Sequence, residues 1–182
     1  MTVSLVKIHY KKTLRKDLTS RFFYKNSNTI SELKTIHLNI GIKDVSFKSI
    51  LPNFLGLEFL SSNFPYITKA KKNIHFLNIK KRSPNGVKVT LTKNSAYNFF
   101  QKLIFRIIPN FQKRKNKILV TNKNSISFST KEIDSLHELT LFYNLFKTLS
   151  LIDITINSTT LSLEEFVFFL TSFKFPTWYL RK

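Results

Sequence analysis

At 182 residues, with 42% hydrophobic content and nineteen Phe, the chain is long and apolar enough to bury a core as one domain spanning 1–182. The absence of cysteine excludes disulfides, thiolate zinc and thiol catalysis, and no stretch approaches the roughly 18 uninterrupted apolar residues of a bilayer span, so no membrane partner is expected. Thirty Lys and Arg against ten Asp and Glu leave a net charge of +20, which calls for a polyanionic partner.

The first 23 residues read as an amphipathic helix. Val3, Val6, Tyr10, Leu14 and Leu18 recur every three to four positions, which sets Lys7, Lys11 and Arg15 in a row, with Lys12 beside them. Lys34 to Ile42 alternates as a half-buried strand, Ile36, Leu38, Ile40 and Ile42 against His37, Asn39 and Gly41. Phe47 to Leu60 has helical spacing, with Pro52 placing the start of the regular helix near itself. Ser95 to Ile108 is the clearest helix, striped by Tyr97, Phe100, Leu103, Ile104 and Ile107 and ended by Pro109. Lys113 to Asn124 reads as a basic loop with a candidate edge strand inside it, and Ile126 to Ser129 as a strand. Leu151 to Asn157 alternates again, and Ser162 with Glu165 forms a capping box that opens a last helix to Phe173. The expected fold class is α+β, a mainly antiparallel or mixed sheet with helices packed on one side.

The charge is unevenly spread. Between Phe59 and Lys131 there is no acid, and sixteen Lys or Arg fall in the same window. Residues 65–91 form the centre of it, a basic finger in which Lys69, Lys71 and Lys72 come in one burst and Lys80, Lys81 and Arg82 in a second. The Pro84-Asn85-Gly86 stretch is expected to turn the chain into a strand from Val87 to Leu91. The outward positions of the strands are His37, Asn39, Lys88 and Thr90. Such groups suit hydrogen bonds to sugar and phosphate better than base stacking, which favours backbone and shape recognition of a structured RNA.

Catalysis finds no support. His9, His37, His75 and His137 have no metal-ligand spacing, and Glu164-Glu165 is the only adjacent carboxylate pair among the candidates. Gly41, Gly56 and Gly86 make neither a Walker loop nor a dinucleotide-binding fingerprint. No enzyme, no metal and no cofactor are expected.

Several blocks in register resemble the bacterial-type large-subunit ribosomal protein L-five family. They are Leu38-Asn39-Ile40-Gly41, Ile67-Thr68-Lys69-Ala70-Lys71-Lys72, the run Pro84 to Leu91, the Phe99-Phe100 helix, Asp153-Ile154-Thr155-Ile156 and Phe173-Lys174-Phe175-Pro176. The likeness covers the chain from about Tyr10 to Pro176 and begins inside the first helix. That favours a structural helix there over a mitochondrial presequence, whose composition it shares.

The resemblance implies a structural constituent of the large subunit in the central protuberance, partnered by 5S rRNA, large-subunit rRNA, P-site tRNA, small-subunit protein thirteen and other central-protuberance proteins. Lys11, Lys12, Arg15, Asn39, Thr68, Lys69, Lys71, Lys72 and Lys88 are the rRNA-binding candidates. Asn73, His75, Phe76, Lys80, Lys81 and Arg82 are those of a tRNA-facing loop. Phe76 and Arg82 stand where the family usually has glycine, and Lys113 to Asn124 replaces its Gly-rich loop. The preference for Lys, Asn, Ile and Phe over Gly, Ala, Pro and Arg marks an A/T-rich genome. It points to a mitochondrial ribosome and an organelle-encoded gene, with a plastid or an A/T-rich bacterium as runner-up. A scaffold in a ribosome that has lost 5S rRNA is the alternative.

Overall fold

A computed structural model of the chain describes residues 4–42, 46–77, 79–109, 118–122, 124–130 and 142–175. At the start, α1 (Leu5–His9), a π-helical turn (Tyr10–Leu14) and α2 (Arg15–Arg21) run on without a break. The buried residues Val6, Tyr10, Leu14 and Leu18 recur every four positions. An α-helix turns about 100° per residue, so a four-residue repeat drifts by about 40° a step. The wider π turn takes up part of that drift and holds Tyr10 and Leu14 on the buried side. The expected row of cations changes as a result. Lys7 is half-buried, donating to Asn94 Oδ1 and lying 6.0 Å over the Tyr97 ring, while Lys11, Lys12 and Arg15 are not drawn into the core in this way, Lys11, Lys12 and Arg15 all being exposed. Val3 lies outside the described residues.

Among the described residues six strands form one sheet: β1 (Leu33–Gly41), β2 (Tyr66–Lys69), β3 (Pro84–Thr92), β4 (Ile118–Asn122), β5 (Ser125–Thr130) and β6 (Ile152–Ser158), in the order β2-β3-β1-β6-β5-β4. The outer pairs β2/β3 and β4/β5 are antiparallel. The two-residue alternation has its expected consequence. Ile36, Leu38, Ile40, Val87, Val89, Leu91, Ile152, Ile154 and Ile156 are buried. The opposite positions join in polar rungs: His37 Nδ1 to Thr90 Oγ1 at 3.1 Å, Thr35 Oγ1 accepting from Asn157 Nδ2 at 3.2 Å, and Ser127 Oγ to Thr155 Oγ1 at 3.0 Å. The edge strand anticipated inside 113–124 is β4, on the far edge from β2.

The chain divides into two compact units. The first comprises Met1–Ile36, Leu91–Phe128 and Thr155–Lys182. Here α4 (Lys93–Lys102) continues into a second π turn (Leu103–Ile107) and is still helical at Pro109, the last described residue of that segment. Gln101, off the apolar stripe, anchors the first helix: its Oε1 accepts from Ser4 Oγ at 2.7 Å and from the Leu5 N–H at 3.0 Å. The core is aromatic, with Phe100 and Phe173 edge to face at 5.3 Å and Phe169 and Phe173 at 5.1 Å.

The second unit comprises His37–Thr90 and Ser129–Ile154. It holds α3 (Phe47–Ser61), which corrects the placement of Pro52. The helix runs through that residue, because Pro52 sits in the second turn and removes one amide donor to an exposed early carbonyl. The next residue adds a side-chain tie of its own: buried Asn53 donates from Nδ2 to Ser49 O at 2.6 Å, and its Oδ1 accepts from the Ser150 N–H at 2.9 Å. A short helix, α5 (Tyr143–Phe146), was not anticipated. It sets Phe146 at 6.0 Å from Phe59, and a Cβ on Gly56 would run into Leu149.

The last helix, α6 (Leu163–Ser172), belongs to the first unit and starts as its motif demands, with Ser162 Oγ accepting from the Glu165 N–H at 3.2 Å. Buried Glu165 accepts from Ser31 Oγ, from Tyr24 OH and from the Leu161 N–H at 2.9 Å. Burial alone pushes its carboxyl up, but the hydrogen bonds from Ser31, Tyr24 and the backbone at Leu161 and Ser162 outweigh it and hold the group below the ordinary 4.5. Burial and the bond to Glu165 raise the Tyr24 hydroxyl to about 12, so it remains a donor. A depressed folded-state value means stability that is present above 4.5 and lost as pH falls through the folded value. Acid titration of unfolding should therefore show a loss beginning below that point, and Glu165→Gln should flatten it while lowering stability at neutral pH. Identical acid limbs in the two proteins would show that Glu165 does not carry the effect.

Candidate nucleic-acid interface

The basic finger is built from the β2/β3 pair outward. Tyr66 lies opposite Lys88, Ile67 opposite Val87, Thr68 opposite Gly86 and Lys69 opposite Pro84, with a register shift after Thr68. Backbone pairing then continues beyond the strands. Ala70 N–H donates to Ser83 O at 2.9 Å, Arg82 N–H to Ala70 O at 2.9 Å, and Ile74 and Ile79 exchange bonds of 2.9 and 3.1 Å. Asn73 adds a side-chain rung, its Oδ1 accepting from the Lys81 N–H at 2.6 Å. A single turn of 3-10 helix, His75–Leu77, closes the apex.

This geometry corrects the turn expected at Pro84-Asn85-Gly86. Those residues begin β3, and the chain bends at Lys80–Ser83, where the Ser83 N–H donates to Lys80 O at 3.1 Å. Proline is tolerated at the first residue of a strand. Gly86 serves close approach: a Cβ there would lie 2.5 Å from Ile40 O on β1 and 3.0 Å from Thr68 Oγ1. A glycine needed for close approach and one needed for a turn look alike in a sequence. Within the hairpin, the residue that adopts the left-handed conformation is Arg82, with φ 68°.

The candidates fall into two places. Lys11, Lys12 and Arg15 are exposed in the first unit, on the π turn and the start of α2. All the others lie in the second unit. Lys69, Lys71, Lys72, Asn73, His75, Phe76, Lys80, Lys81 and Arg82 are exposed along the hairpin, and Thr68 is half-buried at its base. The two bursts of cations are not strung out along the finger: pairing of Ala70 with Arg82 and Ser83, and of Asn73 with Lys81, sets them on neighbouring rungs as one patch. Asn39 and Lys88 are half-buried on the polar face of β1 and β3. Burial, and then the charge of Lys88, push His37 below its ordinary 6.5, so it stands neutral as the partner of Thr90. Sequence reasoning missed the pinning role of the Asn73 side chain and the Ile74/Ile79 pair. An Asn beside an alternating apolar pair was the available signal. His137 and Lys113 to Lys117 lie outside the described residues.

Among the described residues no group of His, Cys, Asp or Glu could hold a metal ion, and no helix is long and apolar enough to cross a membrane. The hairpin gathers six exposed cations on neighbouring rungs, and Lys11, Lys12 and Arg15 add three more in the first unit.

No family model matches the chain. Individual relatives do. The chain is 30% identical over 176 residues to the large ribosomal subunit protein uL5m of Reclinomonas americana, covering 94% of this chain and 96% of that protein. It is 34% identical over 173 residues to the large ribosomal subunit protein uL5 of Buchnera aphidicola, covering 92% and 95%, and 31% identical over 169 residues to that of Wigglesworthia glossinidia, again covering 92% and 95%. The chain belongs to the uL5 family of large ribosomal subunit proteins, as its motifs indicated, and its role is structural rather than enzymatic.

The strained residue offers a test. A non-glycine residue in the left-handed region costs of order 1 kcal/mol or more, and Arg82 stands where the resemblance expects glycine. Arg82→Gly should stabilise the isolated protein by about 1 kcal/mol in denaturant titration, whereas Arg82→Ala, which removes the same charge and keeps the Cβ, should not. Equal shifts in the two variants would place the effect in the charge.

Proposed function

We propose that this chain binds 5S rRNA and neighbouring large-subunit rRNA in the central protuberance of a mitochondrial ribosome. In the same reading its 73–82 loop meets P-site tRNA, and the protein reaches small-subunit protein thirteen and other central-protuberance proteins. The observation that carries the proposal is the hairpin: six cations on neighbouring rungs, inside a window with no acid. Each phosphate such a patch neutralises releases condensed counterion, which gives affinity without sequence selectivity. The polar face of β1 and β3, with Asn39, Lys88 and the His37–Thr90 rung, supplies short hydrogen-bonding groups beside the base of the hairpin. Support for the mitochondrial setting comes from the A/T-type composition and from a mitochondrial relative, uL5m, among the similar proteins.

Binding of the full chain to a 5S rRNA transcript across a salt series tests the proposal. Replacing Lys69, Lys71 and Lys72 by Ala should weaken binding and flatten the log-log salt slope by about 0.7 to 0.9 for each phosphate no longer neutralised. A variant with the parental slope would remove the hairpin from the RNA interface. A flatter slope seen with unrelated RNAs alone would assign the patch to non-specific attraction.

A further inference from the structure

We infer that Phe76 is a stacking residue, whose ring lies on an unpaired nucleobase of the RNA that the hairpin meets. The inference rests on the function proposed above and adds the mode of contact at the tip. The Phe76 ring is 94% exposed, yet its backbone is not loose. It belongs to the apex turn His75–Leu77, and the Ile74/Ile79 pair and the Asn73–Lys81 rung close the hairpin beneath it. Two other exposed aromatic residues of the same unit lean on a neighbour: Phe59 stacks on Phe142 at 6.1 Å, and Phe64 meets Phe54 edge to face at 5.2 Å. Among the described residues no such ring partner is seen for Phe76, which leaves both its faces open.

The surroundings select the partner. Lys71, Lys72 and Lys81 are exposed on the rungs below the apex, and no acid occurs from Phe59 to Lys131. A protein surface apolar enough to take the ring would have to tolerate those cations, whereas RNA offers phosphates for the lysines and a flat π face for the ring. Every base has such a face, so stacking is tolerant of sequence, as the cations are. The two contributions differ in salt dependence. Phosphate contacts weaken steeply as salt rises, while stacking buries apolar surface and persists. A tip carrying both keeps part of its grip when charge is screened.

The test uses the full chain and a tRNA transcript as the probe. Phe76→Trp, made together with Trp178→Phe so that the new indole is alone, should show strong quenching of its fluorescence on RNA addition, as stacked indoles do. In binding titrations Phe76→Ala should lose about 5- to 150-fold in affinity, the range for one stacked base, with an unchanged salt slope; Phe76→Trp should restore it and Phe76→Leu should not. Absence of quenching while RNA is bound, or rescue by Leu as complete as by Trp, overturns stacking. Replacing Lys80, Lys81 and Arg82 by Ser separates this inference from the parent proposal. If that variant loses slope but Phe76→Ala binds normally, stacking alone fails; if the slope is unmoved, the cationic reading of the hairpin fails first.

Discussion

Six like charges on one hairpin repel one another, and with no acid between Glu58 and Glu132 nothing in the local sequence neutralises them. The hairpin has to be held by forces that do not depend on charge. Backbone pairing supplies part of this, continued past the ends of β2 and β3 through Ala70, Arg82 and Ser83 to the Ile74/Ile79 pair. The rest comes from the base. Buried Val87, Val89 and Leu91 fix β3 in the sheet, and Gly86 lets it approach β1 so closely that any side chain would strike Ile40 O. Repulsion of this kind is tolerable in a protein whose partner supplies the opposite charge. On the function proposed above, the feature that makes the hairpin costly alone is the one that meets the RNA.

The supporting core has its own physical logic. Apolar residues spaced by four recur in both long helices of the first unit, Val6 to Leu18 and Phe99 to Ile107, and in each the helix widens into a π turn within that run. Side-chain burial dictates the backbone pitch there. Glu165, a buried carboxylate in a chain of net charge +20, has hydroxyl and amide donors as its partners rather than a cation. Those donors tie the start of α6 to Tyr24 and Ser31.

Much of this was legible in the residues. β1 and β6 alternate without exception over their central residues, and a period of two has only one structural meaning when one face is isoleucine and leucine. Ser162 and Glu165 marked a helix start through local chemistry, and the structure forms that cap. The misreadings share a cause. Pro52 and the Pro84-Asn85-Gly86 stretch suggest what proline and glycine usually do, but tertiary packing assigns them other work: a helix that absorbs one missing donor, and a strand that must come close to its neighbour. Arg82 is the converse case, a left-handed residue without the glycine that signals one. Four-residue α5 was too short for any periodicity to announce. The cations themselves were plain in the sequence; that the two bursts share neighbouring rungs required the pairing, which depends on a register shift after Thr68 that no local pattern encodes.

The central claim is that the cationic hairpin is the element through which this uL5-family protein holds RNA. Cross-linking in intact particles, followed by sequencing of the attached RNA and mapping of the attached peptide, addresses it most directly. The account predicts 5S rRNA or adjoining large-subunit rRNA joined to peptides within 66–92, with a tRNA cross-link at the apex. Cross-links confined to other segments, or associations that survive complete nuclease digestion, would contradict it.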